Sequence, residues 1–130
     1  MSPEKRVYRI AVIDSFRNKA KGSHGIHRAF MGLPGVEICA VADPDEESRK
    51  GLAEDTGTDV MYADLQELLD KEQPDVVCHC ARVPVSHPDA VVMAAEAGCH
   101  VYVEKPFATT LEEADRMVEA AEKSNVKLAV

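Results

Sequence analysis

The chain has no apolar run near the about 20 residues that a membrane-crossing helix needs, and residues 1–6 (MSPEKR) hold no apolar core of a secretory signal. Membrane association is therefore not expected, and a cytoplasmic location follows by default. Basic residues are scarce as well. Fifteen Lys and Arg stand against 23 Asp and Glu, for a net charge of −8, and no basic face is interleaved with aromatic residues. Nucleic acid is accordingly not an expected partner. Repeats and low-complexity segments are absent. The four cysteines, Cys39, Cys78, Cys80 and Cys99, come with no second Cys/His pair at metal-ligand spacing. Cys78 and Cys80, two apart in an apolar run, point to one face of a strand and do not bridge comfortably, while His79 points to the other. Buried core thiols are expected rather than a metal site.

What is present is an alternation of strand and helix signals. Hydrophobic residues make up 45% and charged residues 29% of the 130 positions. That suits one globular domain over 1–130, long enough to bury roughly two-thirds of its unfolded surface. Residues 7–13 (VYRIAVI) predict a first strand, and residues 24–32 a helix ended by Leu33-Pro34-Gly35. Residues 36–42 (VEICAVA) predict a second strand, followed by a helix over about 45–56 that stops at Gly57. A short third strand covers 59–62. Asp64 caps the next helix, with Glu67 completing a capping box. Pro74 ends that helix before a fourth strand over 76–80 (VVCHC). Pro88 and Gly98 frame a further helix. Strand five covers 100–103, and Thr109 or Thr110 opens a helix with Leu111, Ala114, Met117, Val118 and Ala121 on one stripe. Residues 128–130 begin a sixth strand inside which the chain reaches its last residue, so a fragment of a longer polypeptide is expected.

Strands one, two, four and five are apolar nearly throughout, which requires cover on both faces and implies a parallel sheet. Alternation with helices implies right-handed crossovers and a doubly wound α/β architecture. Ligands of such sheets lie outside the carboxyl ends of the strands, near the switch point of strand order. Residues 14–25, 43–45, 81–87 and 104–107 are therefore the ones to weigh.

Asp43 ends the second strand. A carboxylate there accepts hydrogen bonds from the adenosine ribose of a dinucleotide and repels a 2′-phosphate, favouring NAD over NADP. It can equally cap the following helix, as can Asp45, and the two roles are compatible. The loop after strand one is where a Gly-x-Gly-x-x-Gly turn would let the backbone approach a pyrophosphate. Only Gly22 and Gly25 remain of it, and Asp14 takes the first glycine's place, where its charge opposes phosphate. Arg17, Lys19, Lys21 and Arg28 form a basic island over 16–28 with no acidic residue among them. Either Arg17, Lys19 and Lys21, with Ser15 beside them, replace backbone amides as phosphate partners, or dinucleotide binding is lost. A merely solvated loop is the third reading. His87, before a helix, either lines a nicotinamide pocket or helps cap that helix. Glu104-Lys105-Pro106 closes strand five and places Lys105 at the crevice, where a lysine can hold a carbinol oxygen and exchange its proton. Pro106 fixes the backbone beyond it.

Leu33-Pro34-Gly35-Val36-Glu37, Ala40-Val41-Ala42-Asp43-Pro44, Ala94-Ala95-Glu96-Ala97-Gly98, residues 101–106 and Leu111-Glu112-Glu113-Ala114 together carry a family resemblance. Through them the chain resembles the N-terminal domain of the Gfo/Idh/MocA (glucose–fructose oxidoreductase/inositol 2-dehydrogenase) family over residues 7–130. The resemblance implies a three-layer Rossmann-type fold here, with a substrate-binding and oligomerisation domain outside this chain. It implies that Lys105 is the catalytic lysine and Asp43 the ribose carboxylate. Gly22 and Gly25 would then be what remains of the phosphate loop, with His87, Glu104 and Pro106 bordering the cofactor. Arg82-Val83 stands where members usually have Thr-Pro. The implied activity is hydride transfer between NAD(P), NAD before NADP, and a sugar, polyol or related hydroxyl. The full-length protein would be a homo-oligomer, and this domain alone inactive. The competing expectation is a non-catalytic sensor or binding protein that kept the fold and lost the dinucleotide.

Overall fold

The computed structural model describes residues 6–14 and 25–130. Its strands are β1 (Tyr8–Ile13), β2 (Val36–Ala42), β3 (Met61–Tyr62), β4 (Val76–His79), β5 (His100–Val103) and β6 (Leu128–Ala129). They form one six-stranded sheet in the order β3-β2-β1-β4-β5-β6, and every neighbouring pair is parallel. The chain runs outward from β1 to β3, returns to the far side of β1 as β4, and runs outward again. The switch point therefore lies between β1 and β4.

Among the described residues four α-helices follow the strands: α1 (Glu46–Thr56), α2 (Leu65–Glu72), α3 (His87–Glu96) and α4 (Leu111–Ser124). Successive strand residues face opposite sides of the sheet, and both sides are covered. Ile10, Val12, Val41 and Cys78 pack against Leu52 and Ala53 of α1. Ala11, Ile13, Ala42, Val77 and Val103 pack on the other side against Leu68 of α2, Val91 of α3 and Met117 of α4. The doubly wound, three-layer architecture expected from the apolar strands is the one found.

Local chemistry sets the helix ends. Asp45 Oδ2 accepts from the Ser48 amide at 2.8 Å to start α1, and Gly57 ends it at φ 75°, a left-handed conformation glycine adopts without Cβ strain. Thr110 Oγ1 accepts from the Glu113 amide at 3.1 Å, while Glu113 reaches back to the Thr109 amide at 3.0 Å. Three expectations change. Asp64 caps α2 through the Gln66 amide at 2.7 Å, but Glu67 pairs with Lys71 at 2.8 Å and leaves the box incomplete. Leu111 and Val118 are 81% and 41% exposed, so the buried line of α4 narrows to Met117 and Ala121. The helix expected over 24–32 is, among the described residues, one 3-10 turn (Ile26–Ala29). Gly25 at φ 62° starts that turn, the Arg28 amide bonds back to the Gly25 carbonyl at 2.9 Å, and His27 swings inward to Asp55 at 2.6 Å.

Candidate functional site

The carboxyl ends of β1, β2 and β3 open on a cavity of about 380 Å³, within the range of small-molecule sites. Ile13, Ala42, Leu65 and Met93 form its apolar wall, and Asp14, Asp43, Asp64 and Asp89 line it with carboxylates. Asp43 is completely buried. Its Oδ1 accepts from the Asp45 amide at 2.9 Å, its amide donates to the Tyr62 carbonyl at 3.2 Å, and its carbonyl accepts from Arg49 Nη1 at 2.9 Å. The helix cap falls to Asp45, whose carboxyl is held below the usual carboxylate range by the bond from the Ser48 amide. Asp43 is thus a braced carboxylate at the cavity rather than a cap.

Asp14 closes β1 at φ 57°, a left-handed conformation that Asp tolerates better than most side chains. Its Oδ2 lies 3.8 Å from His79 Nε2. His79 is buried, has Ser86 Oγ 3.3 Å from the same nitrogen, and receives the Ala81 amide on Nδ1 at 3.5 Å. The His87 ring meets it edge-on, centroids 4.8 Å apart. Sequence reasoning left His79 as a strand residue and missed this cluster. A histidine near the carboxyl end of an otherwise apolar strand was the only signal available for it.

His87 is fully buried, beneath the crevice rather than at its mouth. Its Nε2 contacts the Ala81 carbonyl at 2.7 Å and its Nδ1 the Phe107 carbonyl at 3.1 Å. It therefore sits between the loop after β4 and the loop after β5, with a backbone carbonyl facing each ring nitrogen. Glu104 is buried with its amide on the His79 carbonyl at 2.9 Å, and its Oε1 accepts from the Lys105 amide at 3.0 Å. Lys105 is exposed, and the Lys105–Pro106 peptide is cis. Lys105 and Asp43 stand at the ends of β5 and β2, three strand spacings apart, or about 14 Å. Gly25 is buried beside Arg28, whose Nη1 would lie 2.8 Å from an added Cβ. Arg28 itself pairs with Asp55 at 3.1 Å. Ser15, Arg17, Lys19, Lys21 and Gly22 lie outside the described residues.

Among the described residues no three His, Cys, Asp or Glu side chains gather to hold a metal ion. No helix of these residues is long and apolar enough to cross a membrane.

A parallel sheet with its switch point between β1 and β4, braced on both faces by helices, defines a Rossmann-type domain. The chain belongs to the Gfo/Idh/MocA oxidoreductase family, described as an oxidoreductase family with an NAD-binding Rossmann fold, which matches residues 11–130. It is 37% identical over 102 residues to the D-apiose dehydrogenase of Paraburkholderia graminis, covering 78% of this chain and 27% of that enzyme. It is 33% identical over 91 residues to the myo-inositol 2-dehydrogenase of Thermotoga maritima, covering 70% and 27%. The crystal structure of the WlbA dehydrogenase of Chromobacterium violaceum, solved with NADH and UDP-GlcNAcA, superposes with a TM-score of 0.75 at 30% identity, over 97% of this chain and 35% of that one. An NAD binding oxidoreductase from Klebsiella pneumoniae gives 0.75 at 32% identity, over 95% and 34%. The chain spans about a quarter to a third of the length of the curated relatives it matches.

Proposed function

We propose that this chain is the cofactor-binding domain of an NAD-dependent dehydrogenase acting on a sugar, polyol or related hydroxyl. The observation that carries the proposal is the exposed Lys105 at the end of β5, on the far side of the switch point from Asp43 and its cavity. The named dehydrogenases among its relatives support it. The cavity fits the adenosine end of a dinucleotide, since apolar walls suit a base and the Asp43 carboxylate suits ribose hydroxyls. Four carboxylates around it oppose a further phosphate, which favours NAD over NADP. When bound, the nicotinamide supplies the hydride acceptor or donor.

The protein's part in the chemistry rests on Lys105. Its ammonium would hold the substrate oxygen and exchange a proton with it, and the Glu104 carboxylate, bonded to the Lys105 amide at 3.0 Å, holds the backbone that presents it. His87 holds the following loop through the Phe107 carbonyl. Gly25 and the basic residues Arg17, Lys19 and Lys21, with Ser15 and Gly22, are the proposed phosphate contacts. The full-length protein is proposed to be a cytoplasmic homo-oligomer with a second, substrate-selecting domain.

Asp14 favours a second reading. A carboxylate in the first glycine's place, lining the same cavity, suits a ligand without phosphate and hence a non-catalytic sensor. Calorimetric titration of the full-length protein with NAD and NADP separates the two. Binding of NAD is expected, and no binding of either at millimolar concentration would overturn the dehydrogenase reading. With NAD bound, Lys105→Ala should leave affinity nearly intact and lower turnover by about 10²- to 10⁴-fold. A parallel loss of binding would make the lysine structural instead.

A further inference from the structure

On the face of the sheet covered by α1, residues from three separate elements meet around a sulfur. Cys80, directly after β4, places its Sγ 3.6 Å from His27 Nδ1. The other ring nitrogen, Nε2, lies 2.6 Å from Asp55 Oδ2 on α1. Cys78 and Cys80, expected not to bridge comfortably on one strand face, stand with their sulfurs in contact at 3.8 Å where the chain leaves β4 at His79. A sulfur, an imidazole and a carboxylate in line form an arrangement in which the carboxylate orients the ring and the ring faces the sulfur. None of these residues lines the cavity at the strand ends.

The charges agree with the geometry. The Cys78 thiol hydrogen-bonds to Cys80 and His27 lies beside it; together they outweigh burial and hold the Cys80 thiol down at about 6. The Cys78 thiol, which gives that hydrogen bond and is buried, moves up. Burial alone would lower His27, yet its bonds to Cys80 and Asp55 raise it above 6.5. Among the described residues, Arg28, also paired to Asp55, and Glu104, acting on Cys78, are further charges around the group. Cys39 and Cys99, which lack this company, are pushed up by burial to about 11.

We propose that Cys80 and Cys78 are a thiol-oxidation site for small peroxides, with Cys80 as the attacking sulfur, His27 as its proton partner and Asp55 as the group that orients His27. The Cys80 thiolate attacks one oxygen of hydrogen peroxide, the O–O bond breaks, and the departing hydroxide takes the proton from His27 Nδ1 as water. Cys80 is then a sulfenic acid. The Cys78 sulfur attacks it, the S–O bond breaks, and the hydroxide leaves with the Cys78 proton as a second water. Two thiols are oxidised to one disulfide, and one peroxide is reduced to two waters. Burial decides the reagent. Cys80 is 1% exposed, so only a molecule near the size of water reaches it, by local opening, and bulky thiol reagents are excluded.

The test treats the full-length protein at pH 7 with hydrogen peroxide, followed by site-resolved mass spectrometry. A Cys78–Cys80 disulfide, reversed by dithiothreitol, is expected to form at least about tenfold faster than oxidation of the more accessible Cys39. A bulky maleimide should show the reverse order and label Cys39 first. His27→Leu, which keeps apolar volume but removes the imidazole, should slow the disulfide about tenfold or more while leaving the Cys39 rate unchanged. Asp55→Asn should act in the same direction and decides the matter if His27→Leu does not fold. Oxidation of Cys39 ahead of the pair, an unchanged rate in the decisive variant, or irreversible sulfonic acid in place of the disulfide would each overturn the proposal.

Discussion

Asp14 shows how one side chain can carry two opposed consequences. At φ 57° it occupies a backbone conformation suited to glycine, which is why the turn can still be made without one. Its carboxylate, however, lies at the cavity 3.8 Å from buried His79, where a neighbouring phosphate would meet it. Asp14→Gly should therefore keep the turn, remove the charge and tighten NAD binding by about tenfold, roughly 1.4 kcal/mol. Calorimetric titration checks it, and weaker binding would instead show that the carboxylate contributes a contact. His87 teaches a related lesson. Its place at the start of a helix was legible in the sequence, but its two carbonyl partners, Ala81 and Phe107, were not, since Phe107 comes 20 residues later.

At the level of elements, the helix ends divide into a cap that is closed and one that is half made. Thr110 and Glu113 exchange bonds across the start of α4, so Thr110→Ala is expected to lower stability by about 1 kcal/mol in urea unfolding. Glu67 on α2 bonds to exposed Lys71 instead of returning to the cap. Glu67→Ala should then change stability by only a few tenths of a kcal/mol, as exposed helix pairs do. A loss near 1 kcal/mol would mean that the box closes in solution. The strands were read with little error because their apolar runs require two covered faces, a property independent of partners. The segment after Gly25 was misread because apolar residues at helical spacing also suit a short turn. His27 settles its conformation by reaching Asp55, 28 positions away.

For the whole molecule, acid should find the weak side of the fold. The Arg9 amide and the Arg6 guanidinium hold the Asp75 carboxyl below the usual carboxylate range, tying β1 to the start of β4. Asp55 is also lowered: burial opposes this, but its bonds to His27 and Arg28 prevail. A carboxyl whose folded pKa is depressed adds stability that is present above its unfolded value and lost as pH falls through the folded one. The melting temperature should therefore drop steeply as pH falls below about 4, and Asp75→Asn should flatten that limb while lowering the plateau near neutrality. An unchanged acid limb in this variant would place the sensitivity elsewhere.

The sequence alone determined the alternation of elements, the parallel doubly wound sheet and the strand ends at which the cavity opens. Periodicity, capping residues and apolar runs act over a few neighbours and survive without knowledge of the rest of the chain. Glu104-Lys105-Pro106 belonged to that local grammar and led to the family. Tertiary structure alone decided that Asp43 lines the cavity, that His79 lies against Asp14, and that His27 and Asp55 converge on Cys80. These are contacts between residues up to 65 positions apart, and only the closing of the sheet brings their side chains within hydrogen-bond or ion-pair reach.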